Sequence, residues 1–167
     1  MDIYTFLILT HLIGTILGVG GATMIEVHIN KALSDGQMSP DEKYMMASTY
    51  GVVRVGLILA ILSGFGFLIL YKMTGQTFRL YDPILWAKMT IVMAIAGNAL
   101  LLQSKKISLY WGSALSFVSW WVAAILGIFS SNGIHYSFLS IMSVYVLSVV
   151  CIAVVLHWFR KLATKTS

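Results

Sequence analysis

The sequence predicts an all-α polytopic membrane protein: a bundle of five transmembrane helices in a single membrane domain spanning residues 1–167, the first two extended into a cytoplasmic helical hairpin. Three observations carry this. Of 167 residues, 59% are hydrophobic and only 10% charged, against about 45–50% and 25% in soluble domains. Uncharged runs recur at lengths near the roughly 20 residues that cross a bilayer core of about 30 Å. The cations fall between those runs rather than in a patch, so the net charge of +5 does not indicate a nucleic-acid partner. A soluble enzyme and a disordered chain are excluded on the same composition. A single cysteine, Cys151, excludes a disulfide framework and any CxxC motif.

The first helix is expected over residues 3–34, because Ile3 to Ile25 holds no charge and Asp35-Gly36 offers a left-handed C-cap. Met1-Asp2-Ile3-Tyr4 lacks the basic residues of a secretory signal, so this span is read as retained. The second is expected over 40–73. Ser39 stands at the N-cap, Pro40 at the first helical position, and Asp41 and Glu42 in the first turn. The third is expected over 83–104, interrupted by Lys88 alone. From Ile107 to Phe159 no formal charge occurs, a stretch too long for one crossing. Ser130-Ser131-Asn132-Gly133 breaks it, giving helices over 107–129 and 136–160.

Orientation follows from Lys and Arg. Lys72, Arg79 and Lys88 lie toward the N-terminal side, whereas Lys31, Lys43, Arg54, Lys105, Lys106, Arg160, Lys161 and Lys165 lie on the other. Three against eight places the N-terminus outside and the C-terminus in the cytoplasm of a plasma membrane. Tyr4, Tyr71, Tyr81, Trp86, Tyr110, Trp111, Tyr136 and Trp158 fall near span ends, as interfacial aromatics do.

Polar residues within a span are functional candidates because they are costly there. They are His11, Lys88 and Asn98, with Glu26, His28, Arg54 and His157 at the inner edge and His135 in an outer loop. His11, Gly14, Gly18, Gly21, Ile25 and His28 share about a 100° sector of the first helix. The bare glycine stripe admits either a flat group or another backbone. Gly56, Ala60 and Gly64 of the second helix form a matching small-residue set. At 1.5 Å per residue His11 lies about 12 Å, and Lys88 about 8 Å, below the same surface. An imidazole and an amine at one level suit haem ligation, a cofactor carboxylate or proton relay. Snorkelling of Lys88 and an interhelical hydrogen bond from His11 are the plain alternatives. His28 and His157, both at the inner edge, are a second potential iron-ligand pair. Glu26 and His28 with Asp41-Glu42 offer a less specific metal set. No Walker loop, dinucleotide fingerprint, HExxH or nucleophile–base constellation is present.

His11-Leu12-Ile13-Gly14 leading to Gly20-Gly21, and Leu85-Trp86-Ala87-Lys88 followed by an apolar run to Asn98, resemble the copper-resistance-D-like membrane proteins and the HemJ-type protoporphyrinogen oxidases. The likeness covers about the first three helices. No arginine follows the glycine pair; Glu26 and His28 occupy that region. The resemblance implies a haem b held by His11 and dependent on Lys88. The expectation is an integral membrane haem protein for electron transfer near the outer leaflet, with haem-dependent oxidoreductase chemistry within its reach. His11 would be the axial ligand, Lys88 the second ligand or a propionate partner, and Gly14, Gly18 and Gly21 would give the porphyrin room. The lipid bilayer, a membrane or cytoplasmic redox partner and a second copy of the chain are the expected partners. A non-catalytic transporter or metal-handling protein, with His11, Lys88 and Asn98 along a polar path, is the alternative, as is an accessory subunit of a larger membrane complex.

Overall fold

The computed structural model describes residues 2–34, 39–134 and 136–163. Among these there is no strand. Five helices are long and apolar enough to cross a membrane: α1 (Ile3–Ser34), α2 (Pro40–Met73), α3 (Pro83–Gln103), α4 (Leu109–Ser131) and α5 (Phe138–Ala163). A short 3-10 turn, Thr77–Tyr81, precedes α3. The expected Asp35-Gly36 cap, His135 and Lys165 lie outside the described residues.

Each start has a local cause. Asp2 accepts from the Thr5 amide at 2.8 Å and opens α1. Ser39 and Glu42 form a capping box: the Glu42 amide donates to Ser39 Oγ at 3.2 Å and the Ser39 amide to Glu42 Oε2 at 2.9 Å. Asp82 accepts from the Ile84 amide at 2.8 Å, and Pro83 follows at the first helical position. Ser108 caps α4.

The ends of α2, α3 and α4 repeat one device. The amides of Gln76, Lys106 and Ile134 reach back to the carbonyls of Tyr71, Leu101 and Phe129, closing a Schellman turn through a left-handed residue. That residue is Gly75 at φ 73° after α2 and Gly133 at φ 67° after α4. After α3 it is Lys105 at φ 55°, where a side chain costs roughly 1–2 kcal/mol.

Helix α1 lies against α2, α4 and α5, and α4 also packs on α3 and α5. Helix α2 rests on α1 and the 3-10 turn. The seam between α1 and α2 is backbone against backbone. A methyl on Gly14 would sit 2.8 Å from the Ala60 nitrogen and 2.9 Å from the Gly56 oxygen; one on Gly56 would sit 2.8 Å from the Gly14 oxygen. Gly14-x-x-x-Gly18 thus meets Gly56-x-x-x-Ala60, the small-residue approach that substitutes for hydrophobic force in lipid. Gly64 faces open space and takes no part.

Ile84, Ile91 and Trp120 centre the core. Single hydrogen bonds fasten neighbouring helices. Asn98 Nδ2 donates to the Gly112 oxygen at 2.7 Å between α3 and α4. The Ser119 and Tyr145 hydroxyls lie 2.8 Å apart between α4 and α5. Trp121 Nε1 donates to Thr23 Oγ1 at 3.2 Å between α4 and α1. Outward faces are apolar: Leu62 and Leu147 are each 63% exposed, Met93 70%. Such a surface suits acyl chains, not water.

Candidate functional site: the His11 centre

His11 is brought to α2 by the close glycine seam. Its Nδ1 lies 2.9 Å from Ser63 Oγ. Ser63 is 1% exposed, and its hydroxyl sits 2.6 Å from the Leu59 carbonyl oxygen. A carbonyl only accepts, so the serine proton goes to Leu59 and Ser63 accepts from His11. The network therefore assigns the proton to Nδ1 and leaves the lone pair on Nε2. Holding one ring nitrogen through a hydrogen bond is how proteins fix the tautomer of a ligating histidine.

Aromatic rings continue from this point along α2. Ser63, Phe67 and Tyr71 recur every fourth residue and so share a face. The Phe67 ring meets His11 edge-on at 5.9 Å. Tyr4 meets Phe67 edge-on at 6.0 Å, Tyr71 stacks on it at 6.0 Å, and the Arg79 guanidinium lies 5.3 Å over Tyr71. The sequence carried this signal in the Ser-Phe-Tyr spacing, but nothing in it showed that the face met His11 and Tyr4.

Lys88 is half-buried on α3, within electrostatic reach of His11 and of Asp82. The two residues judged level from rise alone are thus near each other in space.

The glycines have a different role from the one expected. The space above Gly18 is filled by the Trp120 six-membered ring, which an added methyl would overlap. Gly21 faces Val53 Cγ2 at 2.5 Å. With Gly14 against α2, the space above these three glycines is occupied by this chain's own groups.

The other inner-edge candidates have these partners among the described residues. The His157 Nδ1 lies 2.7 Å from the Tyr110 hydroxyl, and its ring meets Tyr110 edge-on at 5.7 Å. Glu42 is used in the capping box and lies 3.7 Å from Lys31. Glu26 is buried, within electrostatic reach of Tyr50. Among the described residues no three His, Cys, Asp or Glu side chains group in a way that would hold a metal ion. Asn98 is committed to Gly112.

Two clefts open between α2 and α3. One, about 310 Å³, is lined by Tyr50, Arg54, Asn98 and Lys105 among apolar neighbours. The other, about 320 Å³, is lined by Leu68, Lys72, Leu80 and Trp86 among others. Neither is lined by His11 or Lys88.

The residue types at His11 are those a haem iron takes: an imidazole held through Nδ1 by Ser63, with the Lys88 amine within electrostatic reach. The glycine stripe does not fit as the porphyrin's floor. Comparison of the chain with protein-family models, curated proteins and solved structures finds no match.

Proposed function

We propose that this is a multi-pass plasma-membrane protein that holds a b-type haem through His11 and serves electron transfer. The observation that supports the reading is the His11–Ser63 hydrogen bond, which would hold Nδ1 and leave Nε2 to bind the iron. Bound haem supplies one-electron chemistry. Ser63 positions the imidazole, and Lys88 supplies a positive charge for a propionate, or a second nitrogen. Support also comes from the resemblance carried by His11 and Lys88. A redox partner in the membrane or cytoplasm would exchange the electrons, and self-association would cover part of the outward apolar surface. The visible spectrum of purified protein after haem supplementation tests this: a Soret band that disappears in His11→Ala supports it, and no band in wild type defeats it.

The three-to-eight cation split supports an external N-terminus and a cytoplasmic C-terminus. It also puts the connection between α1 and α2 in the cytoplasm. Helices α1 and α2 have 32 and 34 residues, about 48–51 Å at 1.5 Å per residue. Helix α3 has 21, about 32 Å by the same rise. Arg54 and Lys105, at the end of α3, line one cleft, so the part of α2 before Arg54 extends past the end of α3. A projecting helical hairpin accounts for that excess.

A second reading rests on Asp82, Lys88 and His11, each in electrostatic reach of the next. Such a row is a polar path for protons or a small ion. In that case Lys88→Ala damages transport more than any histidine change. An accessory subunit would lose assembly rather than a spectrum or transport.

A further inference from the structure

We infer that the cleft between α2 and the α3–α4 turn is a binding site for an anionic phospholipid whose headgroup carries a free hydroxyl, of the phosphatidylglycerol type.

Four observations converge. First, the cleft is open to the bilayer, because α2 packs on α1 and the 3-10 turn while α3 packs on α4 and α5. Its volume of about 310 Å³ is lined mainly by apolar side chains such as Leu57, Ile95 and Leu102, so an acyl chain has a matching wall. Second, two cations, Arg54 and Lys105, line it and no carboxylate does. An anion is the complementary occupant, and a guanidinium suits a phosphate oxygen pair.

Third, Asn98 is 2% exposed and lines the cleft, yet its Oδ1 has no hydrogen-bond partner. Which amide atom is the oxygen is settled by Gly112: a carbonyl must receive Nδ2, at 2.7 Å. The remaining atom is an acceptor, and a buried acceptor calls for a donor. A phosphodiester has none; a headgroup hydroxyl does. The Tyr50 hydroxyl, also lining the cleft and within electrostatic reach of the buried Glu26, has no hydrogen-bond partner and can donate to a phosphate oxygen.

Fourth, the α3–α4 turn sets a lysine where the two equivalent turns set glycine. Lys105 has φ 55°, against 73° for Gly75 and 67° for Gly133. A strained non-glycine residue at a site lining a cleft points to use of its side chain. Glycine would close the same turn without strain but would remove one of the two cations.

The inference is independent of the haem reading. Native mass spectrometry of the purified full chain in detergent tests it, with phosphatidylglycerol, phosphatidylmethanol, phosphatidylcholine and inorganic phosphate as separate probes. One phosphatidylglycerol should be retained preferentially. Phosphatidylmethanol, which has the charge but no free hydroxyl, should bind more weakly, and phosphatidylcholine and phosphate weakest. Arg54→Gln and Lys105→Gly should each weaken phosphatidylglycerol about tenfold, the effect of losing a charge-assisted hydrogen bond. Lys105→Gly should at the same time raise the melting temperature measured without lipid, which shows that the variant folds and that the turn was strained. Equal retention of phosphatidylglycerol and phosphatidylcholine overturns the site. So does undiminished phosphatidylglycerol binding in both variants. Equal binding of phosphatidylglycerol and phosphatidylmethanol overturns the assignment of the hydroxyl to Asn98.

Discussion

His11 on α1 donates a hydrogen bond from Nδ1 to Ser63 on α2 across 2.9 Å, and the Ser63 hydroxyl donates one to the Leu59 carbonyl at 2.6 Å. The consequence is a one-way chain of donors that ends on backbone. It cannot reverse, because the carbonyl has no proton to return. The imidazole is therefore a single tautomer for as long as α1 and α2 stay in register.

The first prediction follows from that chain. Ser63→Ala leaves the Nδ1 proton without its acceptor in a buried place and should cost about 1–3 kcal/mol. In haem-loaded protein it should shift the Soret band while His11→Ala abolishes it. Lys88→Ala should perturb the spectrum or potential and leave the haem in place, and His28→Ala should be silent. His157→Ala should be silent in the spectrum while removing the contact with the Tyr110 hydroxyl. Unchanged haem content in His11→Ala would remove the iron from this site.

The glycines separate packing from helix propensity. Gly14→Ala places a methyl against two backbone atoms, at 2.8 and 2.9 Å, and neither can rotate away. The seam must open, at about 1–3 kcal/mol. Gly20→Ala, where nothing lies within 4 Å, should stabilise α1 by about 0.5–1 kcal/mol. Equilibrium unfolding in mixed micelles distinguishes the two; equal effects would mean the seam is not a close contact.

Helix starts give a third test. Ser39→Ala removes the acceptor of the Glu42 amide and should cost about 1 kcal/mol, seen as faster amide exchange at the start of α2. Lys31→Ala should change little, since surface pairs such as Lys31–Glu42 are worth about 0–1 kcal/mol. At the start of α1, hydrogen bonding from Thr5 holds the Asp2 carboxyl below the usual carboxylate range. A depressed carboxylate contributes above its ordinary pKa, so fraying of α1 should set in only as pH falls through the depressed value. Asp2→Asn should flatten that acid-side response.

Topology is tested with fused reporters. One placed after Ser167 should report the cytoplasm, and one inserted between Asn132 and Gly133 the opposite side. Matching reports would mean that α5 does not cross and that the count of five spans is wrong.

The helices were legible because length, charge gaps and caps are local properties. Ser39-Pro40-Asp41-Glu42 announces α2 with no knowledge of what α2 touches. Helices α4 and α5 each begin two residues later than the hydropathy runs, where Ser108 caps α4 and Ser137 Oγ accepts the Ser140 amide at the start of α5. The site was legible only in part. His11 and Lys88 stand out because polarity in a span is rare, and their common depth follows from rise per residue. Ser63 did not stand out, since a serine inside a membrane helix ordinarily satisfies itself on its own backbone, as this one also does. The glycine stripe was ambiguous for a physical reason: absence of a side chain specifies room, and not what fills it. Trp120 fills it from α4, a pairing that no spacing in the sequence encodes.

The placement of α2 bears on how the protein is made. A helix that leans on its predecessor through Gly14, Gly18, Gly56 and Ala60 has its partner in the bilayer before α3 is synthesised. The first two helices can leave the insertion machinery as a paired unit, with the His11–Ser63 bond already closed. The other three then assemble on α1 through α4 and α5, and α2 remains the outrigger of the bundle. A chain cut in the 3-10 turn at Thr77–Tyr81 and expressed as two pieces should therefore reassemble, each piece entering the membrane on its own.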